Sequence, residues 1–123
     1  MSVTLGTVIP ILRIFDVAKA REFYVDYLGF RIDWEHRFDD DAPLYMQVSR
    51  DHVVLHLSEH HGDGTPGSAV YVTTQGVRAY HAELQARPYR YANPGVGVDE
   101  IGTCMTVIDP FGNLLRFNEP PQR

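Results

Sequence analysis

The chain has 123 residues, of which 44% are hydrophobic and 22% charged, and a net charge of −5 at pH 7. That is the length of one domain and the composition of an ordinary globular protein, and the acidic balance argues against nucleic acid, whose phosphates it would repel. No apolar run approaches the roughly 20 residues that cross a membrane, the start Met1-Ser2-Val3-Thr4-Leu5-Gly6 lacks signal-peptide features, and the single Cys104 cannot form an internal disulfide, so a cytoplasmic protein is expected.

Residues 7–14 form an apolar run bounded by Gly6 and Asp16, which reads as a buried strand. Pro10 lies inside it and removes a ladder donor, so the strand must be at an edge, bulged, or crossing to a partner there. Asp16 is a good N-cap. Val17, Ala20, Phe23, Tyr24, Tyr27 and Leu28 follow at helical steps, and Gly29 suits the left-handed residue that ends a helix. Residues 30–38 alternate, with Phe30, Ile32, Trp34 and His36 on one face and Arg31, Asp33, Glu35 and Arg37 on the other, as in a half-exposed strand. Strands are expected at 44–48 and 52–58, joined by a turn at Ser49-Arg50-Asp51.

The polar, glycine-rich stretch 59–67 is the expected connection between two halves. Beyond it come a strand at 68–73, a helix at 76–87 stopped by Pro88, a short strand at 89–92 and a loop at 93–100. Residues 102–108 and 113–118 are the arms of a closing hairpin. Its turn is Asp109-Pro110-Phe111-Gly112-Asn113: Asp bonds back to the backbone, Pro presets φ, and Gly or Asn accepts positive φ. The order strand, helix, three strands occurs twice.

Asp109-Pro110-x-Gly112-Asn113 before an apolar strand, Asp16-Val17-x-x-Ala20-x-x-Phe23-Tyr24-x-x-x-Leu28-Gly29-Phe30 near the start, 8–12 and 55–58 together resemble the vicinal oxygen chelate superfamily over nearly the whole chain. That superfamily includes glyoxalase I, extradiol dioxygenases, fosfomycin-resistance enzymes and bleomycin-resistance proteins, and this chain most resembles the last branch. The resemblance implies an α+β fold of two βαβββ modules, about 1–62 and 65–123, whose curved mixed sheets form a shared cleft with helices on the convex faces. In the bleomycin-resistance branch a proline in the first strand accompanies exchange of the N-terminal arm, so Pro10 implies a homodimer. The alternative is an edge strand in a monomer.

Catalytic members of the superfamily hold a divalent metal with His, Gln and Glu on the first and last strands of the modules. Aligned by local motif, those positions fall on Ile9, His56, Ser68 and Arg116. Ile cannot coordinate, and a guanidinium cannot be deprotonated to do so. A metal needs three or more converging donors, so no metal, cofactor or catalytic residue is expected. His60 and His61 sit in a flexible loop, and Cys104 in an apolar strand context reads as an inert buried thiol.

What remains is a cleft with aromatic walls. In the bleomycin-resistance branch, grooves at the dimer interface grip a flat, cationic drug between aromatic side chains. The candidate ligand-binding residues are therefore Trp34, Phe38, Tyr45, His56, Tyr91, Ile101 and Arg116, with Asp33, Glu35, Asp39, Asp40 and Asp41 attracting a cation. The bland alternative is that Trp34 and Phe38 pack in the core. The branch has Pro-Trp-Gly before its penultimate strand where this chain has Glu100-Ile101-Gly102, which weakens the case for bleomycin itself. The expected function is metal-independent sequestration of a bleomycin-type antibiotic. The alternatives are a lyase, isomerase or dioxygenase with a metal site rebuilt around His56, and a binding module for another small molecule.

Overall fold

The computed structural model describes residues 2–87 and 89–122; Pro88, expected to stop the second helix, lies outside the described residues. The first half consists of β1 (Ile11–Arg13), α1 (Val17–Arg21) continuing as a π-helical stretch (Glu22–Tyr27), β2 (Arg31–His36), β3 (Tyr45–Arg50) and β4 (Val53–Ser58). The second half has β5 (Ala69–Thr73), α2 (Val77–Gln85), β6 (Val96–Asp99), β7 (Gly102–Ile108) and β8 (Leu114–Glu119). Two four-stranded mixed sheets result, in the orders β1-β4-β3-β2 and β5-β8-β7-β6, with β1 parallel to β4 and β5 parallel to β8. Among the described residues no helix is long and apolar enough to cross a membrane.

The halves repeat in register as well as in order. Ile11 lies opposite His56 and Tyr71 opposite Arg116, so each half closes its parallel pair over the same 45-residue span (11 to 56, 71 to 116). The helix caps, Asp16 and Gly76, are offset by the same 60 residues that separate Ile11 from Tyr71 and His56 from Arg116. Asp16 accepts from the Lys19 amide at 2.9 Å, satisfying a free first-turn donor. Gly76 has no side chain to cap with, and the Glu119 carboxylate takes over from β8, accepting from the Gly76 and Val77 amides at 3.1 and 3.0 Å.

Several sequence expectations change in register. The first strand is three residues long, and 2–10 ahead of it have no regular secondary structure and are mostly exposed. The first helix widens because Leu28 N–H bonds to the Phe23 carbonyl five residues back; Gly29 then ends it at φ +82°, with Arg50 so close that a Cβ would meet its Nη1 at 2.7 Å. The β3–β4 turn centres on Asp51, at φ 52°, and His52, one residue later than expected, and α2 ends at Gln85 rather than at Arg87. Residues 89–92 make only an isolated bridge, and the strand that follows the second helix is instead 96–99, at the edge of the second sheet and within the expected loop. Its pattern Val96-Gly97-Val98-Asp99 is too short and glycine-interrupted to stand out; pairing with β7 makes it a strand. Gly102 follows at φ +132°, where a Cβ would meet the Glu119 carbonyl oxygen at 2.1 Å.

One apolar core lies beneath both sheets. Phe23, Tyr24 and Leu28 from the first helix join Met46, Val48, Leu55 and Leu57 from the first sheet and Met105, Val107, Leu115 and Phe117 from the second, all buried. Each such side chain contributes roughly 1.5–3 kcal/mol by leaving water.

The closing hairpin locks the halves together. Asp109 is buried and accepts four hydrogen bonds: from the Tyr24 hydroxyl (2.7 Å), the Asn113 side-chain amide (2.8 Å) and the backbone amides of Phe111 (2.9 Å) and Asn113 (2.8 Å). Asn113 also donates to the Arg13 carbonyl at 2.9 Å, so the turn is tied to β1 and to the first helix at once. Burial and the adjoining carboxylate raise the Tyr24 phenol far above its usual range. On the other side Arg50 grips Glu83 with two hydrogen bonds of 2.6 and 2.9 Å while donating to the Leu28 carbonyl at 2.8 Å; Tyr80 donates to that carbonyl too, at 2.7 Å.

Candidate functional site

Each sheet has one face on the core and one open. On the first sheet a β-bulge decides what the open face carries. Ile32 pairs with Val48 on the core side, but Trp34 pairs with Gln47, so two residues of β2, Asp33 and Trp34, oppose one of β3. A bulge of this kind shifts the alternation by one residue. Trp34 and His36 therefore lie on the face opposite Ile32, contrary to the unbroken alternation of the sequence, and Glu35 turns back to pair with Arg21.

The open face then assembles an aromatic cluster. The Trp34 and Tyr45 rings stack at 5.9 Å with 11° between planes, and His56 stands edge-on to both, at 5.3 and 5.1 Å. Phe38 meets His36 at 4.8 Å and His60 at 5.9 Å, both near perpendicular. Trp34 is 42% and Phe38 77% exposed, so neither is a core residue. With Tyr45, His60 and Asp63 they line a shallow groove of about 430 Å³.

A directional chain of hydrogen bonds runs behind the aromatics. Gln47 Nε2 donates to Asp33 Oδ2 at 3.1 Å, which leaves Gln47 Oε1 as an acceptor for His56 Nε2–H at 2.9 Å. His56 Nδ1 is then the unprotonated nitrogen, and the Tyr45 hydroxyl donates to it at 2.6 Å. The local electrostatics agree. Burial lowers the His56 pKa, while burial and the Asp63 carboxylate raise that of Tyr45, so at neutral pH the imidazole is uncharged and the phenol keeps its proton. Hydrogen bonds from Ser49 and Gln47 hold Asp33 below the usual carboxylate range, keeping the end of the chain ionised.

The open face of the second sheet carries Tyr71, Arg116 and Thr106 in one row. Arg116 has no ion pair among the described residues. The position level with Arg116 is Tyr71, not Ser68, and the position level with His56 is Ile11, not Ile9. The motif-aligned positions Ile9 and Ser68 stand two and three residues ahead of these register partners. Whether Ile9 and Ser68 or Ile11 and Tyr71 are taken beside His56 and Arg116, the set offers one good metal donor, and no three His, Cys, Asp or Glu side chains among the described residues are grouped to hold an ion. These residues do not fit the divalent ion of the superfamily's catalytic members.

The other candidates lie apart. Tyr91 packs on Tyr89, which stacks on Tyr27 of the first helix, so it stands on the helical side rather than in the groove. Ile101 is 62% exposed in the β6–β7 turn, where its carbonyl accepts from Asn118. Neither lines the groove with Trp34 in this chain. Cys104 is only half-buried on the open side of β7, rather than the buried thiol expected. Asp39, Asp40 and Asp41 are exposed in the β2–β3 loop. Pro10 gives its carbonyl to the His56 amide at 3.0 Å; ahead of it Val3, Leu5 and Val8 are each more than 80% exposed. Gln47 carries no signal as a lone Gln in a strand, and Asp63, whose loop Glu59-His60-His61-x-Asp63 reads from sequence as solvated, joins the groove only when the fold faces it toward Tyr45.

A family model described as "Glyoxalase superfamily protein" matches residues 1–122. No curated protein matches. Among solved structures, the bleomycin-binding protein from bleomycin-producing Streptomyces verticillus, complexed with copper(II)-bleomycin, is similar at 30% identity and a TM-score of 0.68, covering 98% of this chain and 100% of its own. TnmS3, an antibiotic-binding protein from Streptomyces sp. CB03234, is 22% identical with a TM-score of 0.72 and coverage of 98% and 100%. The bleomycin resistance determinant encoded on transposon Tn5 is 20% identical with a TM-score of 0.68 and coverage of 96% and 100%. The last two likenesses concern the fold.

Proposed function

We propose that this chain, which belongs to the glyoxalase superfamily and whose structural neighbours include bleomycin-binding proteins, is a metal-independent binding protein that sequesters a flat, cationic antibiotic of the bleomycin type. The observation that carries this reading is the open aromatic face of the first sheet. Trp34 and Phe38 offer ring surface to a planar ligand, and large aromatic contacts with a polar tip suit such stacking. Asp63 at the groove and Asp33 behind it favour positive charge. The position where catalytic members need a carboxylate holds Arg116, and Tyr71 and Thr106 in its row bring no carboxylate or imidazole.

The groove on one chain is shallow, and drug-sized ligands bind where most of their surface is covered. The second wall comes from another copy of the chain. Val3, Leu5 and Val8 form an exposed apolar arm ahead of Pro10, and such a segment is stabilised by exchange onto a partner. Sedimentation at micromolar concentration is expected to give twice the chain mass; a monomer there contradicts the dimer.

The function is tested by titrating purified, metal-analysed protein with bleomycin, followed by calorimetry and by the emission of Trp34, the sole tryptophan. Saturable binding at about one drug per chain with a Kd of about 1 μM or tighter, roughly −8 kcal/mol, is expected, with a change in emission. No heat and no spectral change would remove the drug and leave the fold as it is.

A further inference from the structure

The chain of hydrogen bonds on the first sheet fixes what the groove offers to a ligand. Asp33 accepts from Gln47, Gln47 accepts from His56, and His56 accepts the only proton of the Tyr45 hydroxyl. The one hydroxyl proton of Tyr45 is committed to His56, so at the groove that Tyr45 lines its oxygen is an acceptor with nothing to donate. Asp63, on the same groove, accepts from Ser58 through Oδ2, and Oδ1 takes no bond among the described residues. His36 and His60 are engaged against the Phe38 ring.

We infer that Tyr45 is the specificity-determining contact of the groove: a fixed hydrogen-bond acceptor that selects flat ligands bearing N–H donors over flat ligands of like size that carry only acceptors. Gln47 is a positioning residue. It holds His56 in the tautomer with the proton on Nε2, and without it the imidazole is free to place its proton on Nδ1, donate to Tyr45 and turn the phenol into a donor. This rests on the reading that the groove takes a small molecule, but not on the identity of the drug. A site with buried, oriented polar groups rejects a mismatched partner more strongly than an apolar wall does, because the mismatch leaves polar atoms unpaired.

The test uses the whole chain with two probes: proflavine, a flat cation with two amino groups, and anthraquinone-2-sulfonate, a flat anion with acceptors only. Wild-type protein is expected to bind proflavine more tightly, and Tyr45→Phe, which keeps the ring beside Trp34, to lower proflavine affinity about tenfold while sparing the anion. Gln47→Leu should narrow the preference with Tyr45 intact. Nitrogen-15 NMR should find His56 protonated on Nε2 in wild-type protein and lose that tautomer's dominance in Gln47→Leu. The inference is overturned if Tyr45→Phe leaves proflavine binding unchanged, if it weakens both probes equally, or if His56 carries its proton on Nδ1. Bleomycin titrated in parallel separates the two readings. Proflavine selectivity without bleomycin binding supports the Tyr45 role and defeats the antibiotic; bleomycin binding with Tyr45→Phe indifferent to proflavine does the reverse.

Discussion

The two sheets share a topology and a register, yet their open faces are chemically unlike. On the first, the row through Ile11 continues to His56, Gln47 and the bulged pair Asp33 and Trp34, and its polar atoms are linked end to end. On the second, the equivalent row carries Tyr71, Arg116 and Thr106, none of them ion-paired among the described residues. A repeated backbone fixes where side chains stand and leaves open what they do. Here the repeated topology carries one face preorganised by hydrogen bonds and one without ion pairs among the described residues.

The largest expected effect comes from releasing the two faces from each other. Asp109→Ala removes an acceptor of four hydrogen bonds and strands the Tyr24 hydroxyl in the core. A loss of about 3 kcal/mol is expected, seen as a fall of roughly 10 °C in thermal midpoint. An unchanged midpoint would mean that the hairpin does not hold the halves.

Next is the aromatic wall. Trp34→Ala should weaken bleomycin binding by about thirtyfold, as for a central aromatic anchor, while its partial exposure keeps the stability cost near 1 kcal/mol. Calorimetry and urea unfolding on the same preparation separate the two. Glu83→Ala breaks the clamp from Arg50 and Arg87 far from the groove, and because these side chains are about a third exposed the cost should stay near 1 kcal/mol. Bleomycin affinity should hold; a drop would tie the clamp to the groove.

The faces should also differ in pH response. The folded-state pKa of His56 lies below its ordinary value of 6.5, so the unfolded chain takes up its proton first as pH falls. Stability from this group is whole above about pH 6.5 and declines through that value until the folded pKa is passed. Asp33 adds a second loss at lower pH, beginning as pH falls through its ordinary value of 3.8, because its folded pKa is also lowered. Urea midpoints at pH 7.5 and 5.5 should diverge more in wild-type protein than in His56→Gln. Equal divergence would place the titration elsewhere. Smallest of all, Arg116→Ala should change stability by less than about 0.5 kcal/mol, since an exposed cation without an ion pair among the described residues gives up little; a larger loss in urea would reveal a structural role for this face.

Much of this fold was legible because its signals are local. Asp16 caps because its carboxylate reaches amides three residues on, Gly29 ends a helix because it tolerates positive φ, and Asp109-Pro110-x-Gly112-Asn113 is a turn by its own chemistry. The family motif rests on these same residues. The groove was legible only in part. Trp34, Phe38, Tyr45 and His56 were named from the sequence, but the alternation of residues 30–38 assigned Trp34 to the face of Ile32, because a bulge is set by the partner strand and leaves no mark in a regular pattern. Tyr91 and Ile101 carry the same sequence signal as the others and stand away from the groove of this chain.

The sequence by itself determined the order of elements, the caps and turns that bound them, the apolar core and the poverty of metal donors at the positions where catalytic members of the superfamily have them. Each depends on residue type or on contacts within a few positions along the chain. Tertiary structure alone decided that β6 pairs at 96–99, that Tyr71 rather than Ser68 stands level with Arg116, and that Asp33, Gln47, His56 and Tyr45 join into one line of hydrogen bonds. Those depend on register between strands distant in sequence, where a shift of one residue sends a side chain to the opposite face.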